Sequence, residues 1–181
     1  WAALWEAGSG EEALAAHGRF RILCSHRVGP YGSVRLNAEM ERLTGGGRGR
    51  GTPLLVTAND PASGLFNGDT GVWWPGENGP EACFGGGAGV RRFGPGSLPA
   101  HETAFALTVH KSQGSEFDEV VLVLSDRDSP LLTRELVYTA VSRARRRVEI
   151  RAPAAVLSAA IARRTDRTGG LREAVGRGAT E

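Results

Sequence analysis

The spacing of apolar positions changes twice along this chain, and the two changes divide it into three parts. In the first, Leu4, Trp5, Ala13, Leu14 and Ala15 stand around the break Gly8-Ser9-Gly10. That pattern predicts a short amphipathic helix, a turn and another helical turn, the remnant of a preceding layer. Arg21 to Cys24 then reads as a short strand. After Gly29-Pro30-Tyr31-Gly32 a helix is expected from Val34 to Leu43, with Leu36, Met40 and Leu43 on one face. The glycine run from Gly45 to Gly51 closes this part.

From Thr52 to Pro99 the pattern shifts to short strands, Leu54 to Thr57, Thr70 to Trp74 and Val90 to Phe93, separated by glycine-rich turns. This reads as a small barrel-like β insertion. Asn67-Gly68 is a hairpin dipeptide, because a type I′ turn needs positive φ at both central residues. Gly76 to Gly89 reads as loose loop.

An α/β rhythm returns after Pro99. Strands are expected at Phe105 to Val109, Val120 to Leu124 and Val148 to Arg151, with a helix from Arg134 to Arg145. The unbroken run Val120 to Leu124 is what a parallel strand buried on both faces requires. Pro153 opens a last helix through Arg163. The chain thus reads as one parallel α/β sheet, residues 1–50 and 101–165, interrupted by a β module at 51–100 and followed by a flexible tail at 166–181.

Composition narrows the class. With 181 residues, 40% hydrophobic and 23% charged, the chain has the make-up of a soluble globular protein. No apolar run approaches the roughly 20 residues of a membrane span. Cys24 and Cys83 lie far apart with no Cys or His at a zinc-ligand spacing, so neither a metal nor a disulfide framework is expected, and a reducing cytoplasm fits. The sequence opens at Trp1 without an initiator Met or a secretory signal, as a piece of a longer protein would. Its net charge of +2 is small, but positive charge is concentrated at Arg143, Arg145, Arg146 and Arg147, then at Arg163, Arg164 and Arg167.

Two stretches carry candidate chemistry. Thr108 to Asp118 follows a predicted strand, where α/β sheets place their ligand sites. If the extended backbone continues past Val109, then Thr108, His110 and Ser112 project to one side, and Lys111 and Gln113 to the other. Thr, His and Ser hydroxyl and ring groups suit the phosphate oxygens of a single strand, contacts that position a backbone without reading sequence. Gly114 lets the main chain turn tightly or approach a nucleotide. Ordinary turn chemistry explains the same residues.

In Thr133 to Arg147, the residues Leu136, Val137, Ala140, Val141 and Ala144 form one apolar stripe, with Arg143 at its margin. An arginine beside a packed face needs an anion. A nucleotide γ-phosphate across a domain cleft is one such partner, as in an arginine finger. A carboxylate such as Glu135 or Asp118, or water reached by snorkelling, is the alternative.

At these residues the chain resembles a known family. Thr108 to Asp118 looks like motif V of superfamily 1 helicases, and Glu135 to Arg145 looks like motif VI, with Arg143 at the γ-phosphate arginine. Asn59-Asp60, Gly64 to Gly71, His101-Glu102-Thr103, Val109 to Phe117 and Thr133 to Val141 resemble RecD, the alpha subunit of exonuclease V (RecBCD). The matching runs extend from Arg21 to Leu171, in order and with their spacing kept.

The resemblance implies a RecA-like second motor domain with an SH3-like insertion, in an ATP- and Mg²⁺-dependent helicase that moves 5′ to 3′ along single-stranded DNA beside RecB-like and RecC-like subunits. By analogy Gly114 and Glu116 face the nucleotide, Thr108, His110 and Ser112 lie near the DNA, and Asn67 belongs to an insertion that helps to hold the strand. No Gly-x-x-x-x-Gly-Lys-Ser/Thr loop or acidic Mg²⁺ motif occurs here, so both fall to a missing N-terminal RecA-like domain and this segment alone is expected to be inactive. The motif IV arginine also has no match. A non-catalytic nucleic-acid-binding or subunit-scaffolding module is the alternative, and a different superfamily 1 relative a third.

Overall fold

The computed structural model describes residues 1–87 and 89–165; the tail expected at 166–181 lies outside them. In chain order the elements are α1 (Ala2–Glu6), α2 (Gly10–His17), β1 (Phe20–Cys24), α3 (Ser33–Thr44), β2 (Pro53–Val56), β3 (Thr70–Gly76), β4 (Gly79–Gly86), β5 (Gly89–Phe93), β6 (His101–Thr103), β7 (Ala106–Thr108), β8 (Phe117–Val123), α4 (Arg134–Val141), β9 (Ala144–Arg151) and α5 (Ala154–Ala162).

They form two sheets. The parallel one has the order β7-β1-β8-β9, with Ile22 of β1 opposite both Ala106 and Val121. Its core joins Leu23, Val120 and Leu122 to Leu136, Val137 and Ala140 of α4 and to Val156 and Ala160 of α5. The expectation that β8 is buried on both faces does not hold. Phe117, Val120 and Leu122 are buried while Val121 and Val123 are half-buried, so β8 alternates and its second face is only partly covered.

The helix expected to run to Arg145 ends at Val141, where the Ser142 N–H returns to Tyr138 and Ala140 carbonyls. The segment from Ala144 instead joins β8 as a strand, Ala144 opposite Phe117 and Arg147 opposite Glu119, with a register irregularity between the two pairs. Ladder formation with a buried neighbour outweighs the helical preference of the Ala-Arg run, which is small per residue. Arg145, Arg146 and Arg147 are therefore exposed on an edge strand, where charge discourages pairing with another chain. At the opposite edge, Asn37 of α3 covers β7: its side-chain amide donates to the Ala106 carbonyl (3.0 Å) and its oxygen accepts the Ala106 N–H (2.8 Å).

The second sheet is antiparallel, in the order β5-β4-β3-β2-β6. Among the described residues no strand pairing joins β5 to β6, so the hydrogen-bonded sheet is open. It takes in His101–Thr103, just beyond the expected module boundary. The segment expected as loose loop contains β4, which pairs with β3 and β5 and buries Ala82, Cys83 and Phe84. Glycine content hid this strand. A Cβ on Gly71 would stand 2.6 Å from the Cys83 carbonyl oxygen, so glycine is what allows β3 and Phe84 to close together.

Asn67-Gly68 does not form a type I′ hairpin. Only Gly68 has positive φ (+104°), and the Asp69 N–H bonds the Phe66 carbonyl, which is the sign pattern of a type II turn. The turn sits at the end of a long connection between β2 and β3. Nor are α1 and α2 a leftover of a preceding layer: Leu4, Ala7 and Ala13 pack on Val72, Trp74 and Cys83. A Cβ on Gly10 would lie 2.7 Å from Cys83 Sγ, so the first residue of α2 rests directly on the sheet.

Candidate functional site

The parallel strands end their carboxyl edge at Cys24 and Thr108, and the loops leaving them line a groove of about 580 Å³. Ser25, His26, Thr108, His110 and Gln113 face Thr139 of α4 across it. Sequence reasoning missed Ser25 and His26, joined by a 2.7 Å hydrogen bond. Their signal was position alone, directly after a buried parallel strand.

The chain past Val109 is not extended. His110–Ser112 form a turn of 3₁₀ helix, so Thr108, His110 and Ser112 do not share a side. Ser112 is fully buried and its hydroxyl donates to the Val109 carbonyl at 2.7 Å, which removes it from any ligand-facing surface. Thr108 is half-buried and accepts the Lys111 N–H at 3.3 Å, while His110 is exposed. Gly114 has φ +84° with no atom within 4 Å of where a Cβ would stand, so the need for glycine there is conformational and the space beside it is open.

Beyond Gly114 the loop meets the end of α4. Arg143, half-buried in the two-residue turn between α4 and β9, donates from Nη1 to the Ser115 carbonyl (3.2 Å) and from Nε to the Thr139 carbonyl (3.3 Å). The Phe117 N–H returns a 2.8 Å bond to the Arg143 carbonyl. No carboxylate lies within ion-pair distance of Arg143 among the described residues. Glu135, one alternative partner, instead accepts from Thr165 N–H and hydroxyl; these bonds, after its own backbone N–H, push its pKa down to about 2. Glu116 is exposed and pairs with Arg145 at 3.0 Å.

Ser115, Glu116, Arg143 and Arg145 thus converge, and Thr108 and His110 stand at the other end of the same loop. Asn67 stands apart, exposed between β2 and β3, with its backbone N–H held by Asn59 Oδ1 at 2.8 Å. Arg163 is not a free basic group: it pairs with Asp128 (2.6 Å) and donates to the Ser129 and Leu132 carbonyls. Arg167 lies outside the described residues. Both cysteines are buried and free, and burial pushes the Cys24 thiol up to about 12. Among the described residues no three His, Cys, Asp or Glu side chains gather to hold a metal.

A second buried feature escaped the sequence reading. Arg21 is fully enclosed, with Nη1 2.6 Å from His17 Nε2 and 2.7 Å from the Ala104 carbonyl, and with its guanidinium 4.9 Å over the Phe117 ring. Burial lowers its pKa to about 9, which leaves it charged at neutral pH. This group joins α2, β1 and the start of β8 beneath the loop.

Residues 103–150 match the UvrD-like helicase C-terminal domain family, a span that includes the whole loop and Arg143. The RecBCD enzyme subunit RecD of Mycobacterium tuberculosis is 44% identical over 173 residues, 91% of this chain and 30% of that protein. By sequence, the chain matches a segment of the RecD subunit. The ATP-dependent RecD2 DNA helicase of Deinococcus radiodurans is 34% identical over 74% of the chain and 20% of its own length. The chain therefore spans about 30% or less of these relatives. A Bacteroides Pif1 helicase in complex with ADP-AlF3 and single-stranded DNA superposes with a TM-score of 0.56 at 15% identity, covering 98% of this chain and 49% of that one. This likeness speaks for the fold, a parallel α/β sheet of the helicase motor kind.

Proposed function

We propose that the chain is the second motor domain of an ATP-dependent 5′ to 3′ DNA helicase subunit of RecBCD type, acting in double-strand-break repair and recombination. In this reading residues 1–50 and 101–165 form the motor domain and 51–100 its SH3-like insertion, with β6 completing the inserted sheet. RecB-like and RecC-like subunits are its partners. ATP sits between this chain and an N-terminal RecA-like domain, whose side chains supply the phosphate loop and the Mg²⁺ ligands.

The observation that carries this reading is that Arg143, among the described residues, meets neutral acceptors, the Ser115 and Thr139 carbonyls and the Ser142 hydroxyl. A half-buried guanidinium that meets no carboxylate among the described residues favours an arriving anion, and a γ-phosphate meets that need as negative charge spreads over its oxygens in transfer. Taking up phosphate frees the Ser115 carbonyl. That carbonyl belongs to the short loop whose first residues are Thr108 to His110, so release at one end shifts the groups proposed to touch DNA at the other. Gly114 and Glu116 border the nucleotide, and Asn67 touches the strand from the insertion.

The test joins this chain to an N-terminal motor domain of the mycobacterial kind and measures ATP turnover and unwinding. Turnover stimulated by single-stranded DNA, lost in Arg143→Ala, and unwinding of substrates with 5′ but not 3′ tails support the reading. Intact turnover in Arg143→Ala with failed subunit assembly leaves a scaffold instead.

A further inference from the structure

Glu102 of β6 sits where two grooves meet. One, of about 330 Å³, is lined by Arg27, Asn37, Glu102, Thr108 and Lys111; the other, of about 510 Å³, by Arg48, Trp73, His101, Glu102 and Thr103. The Glu102 carboxylate reaches two cations from different loops. Lys111 Nζ stands 2.6 Å from Oε1, and Arg27 Nη2 stands 3.7 Å from Oε2. Arg27 follows β1 in the loop that carries His26, and Lys111 lies between Thr108 and Ser112. Both cations therefore flank the face assigned to nucleic acid, yet both are turned toward a carboxylate from the other sheet.

We infer that Glu102 is an internal competitor for phosphate: it occupies Lys111 and Arg27 until the backbone of a single strand displaces it. This rests on the proposed reading that the loop after β7 faces the strand. A phosphodiester carries the same single charge as a carboxylate and offers two oxygens in similar geometry, so each cation can exchange one for the other. The exchange is easy because the pairs are exposed. The Lys111 and Glu102 side chains are 37% and 34% exposed and that of Arg27 is 64% exposed, and pairs of that kind are weak. A motor must let go of its track as well as hold it, and a built-in acid lowers affinity without removing the contacts. It also links the antiparallel sheet to the loop, since Glu102 lies in β6 opposite Leu55.

The experiment is anisotropy titration of fluorescent oligo(dT) with this chain at several salt concentrations, comparing the parent, Glu102→Gln, Lys111→Gln, the double variant and His110→Ala. Thermal melts check that each variant is folded. Glu102→Gln should bind about threefold or more tightly at low salt, because two cations become free for phosphate. Its log–log salt slope should steepen by up to about 0.7 for each cation that gains a phosphate. Lys111→Gln should weaken binding, and the double variant should lose most of the gain. If Glu102→Gln binds no more tightly while His110→Ala binds more weakly, the competitor role is overturned and the DNA face stands. If neither His110→Ala nor Glu102→Gln changes affinity, the DNA face itself is wrong and the inference falls with it.

Discussion

Arg143 donates to the Ser115 carbonyl across 3.2 Å and 28 residues of sequence, so one hydrogen bond ties the end of α4 to the loop after β7. The reverse contact, from the Phe117 N–H to the Arg143 carbonyl, makes the tie reciprocal. A loop fastened at one end by a charge that meets no carboxylate among the described residues is a loop whose position an anion can change.

Removing that charge should separate chemistry from track binding. In a polypeptide with both motor domains, Arg143→Ala should lower ATP turnover by about 10³-fold, the scale seen when an arginine finger is removed. Affinity for single-stranded DNA without nucleotide should change less than about twofold. Arg143→Lys should not restore turnover, because an ammonium lacks the planar fork that spans two oxygens. Steady-state ATPase assays and anisotropy titrations measure the two arms.

Ser112 and His110 should part company. Ser112 spends its hydroxyl inside the protein, so Ser112→Ala should cost about 1 kcal/mol in urea unfolding and leave DNA affinity unchanged. His110→Ala should leave stability nearly unchanged and weaken oligo(dT) binding at low salt. Equal losses of affinity in both variants would contradict the buried placement of Ser112.

Asn37 satisfies both backbone groups of Ala106, which is itself buried. Asn37→Leu should leave a buried donor and acceptor without partners, at about 1–3 kcal/mol for each. Denaturant melts should show the variant to be among the least stable single changes on α3. Asn37→Asp keeps the acceptor and should lose less.

Acid should destabilise the fold through His17. Burial, with Arg21 beside it, holds its pKa well below the ordinary histidine value of 6.5. Near pH 6.5 the unfolded chain takes up a proton on this ring and the folded chain does not. Stability is therefore fully present above pH 6.5 and falls as the pH drops through the window below it, by up to about 1.4 kcal/mol per pH unit. Urea midpoints from pH 7.5 to 5 should show this fall, and His17→Gln should flatten it by about one proton.

Patterns of short range were legible. The strand at Arg21 to Cys24 and the helix after Gly32 follow from apolar spacing. The expected α4 stripe holds at Leu136, Val137 and Ala140 but not at Val141, which is exposed, or at Ala144, which lies in β9. The motif-like stretches were readable because their residues are contiguous. What escaped depended on distant partners. Gly79–Gly86 is poor strand sequence and becomes a strand because β3 and β5 flank it, with Gly71 leaving room for Phe84. The chain leaves the helical pattern at Ala144 because β8 offers Ala144 and Arg147 a ladder.

The amino-acid order by itself thus determined the parallel α/β plan, the position of the antiparallel β module and the stretches that resemble helicase motifs, since each is set by local periodicity or by a run of neighbours. Only the tertiary structure decided which of those side chains are free to act. Ser112 is withdrawn, Lys111 is engaged by Glu102, and Arg143, among the described residues, meets neutral acceptors. Availability depends on burial and on a partner supplied from elsewhere in the chain, and neither quantity is defined until the two sheets have packed.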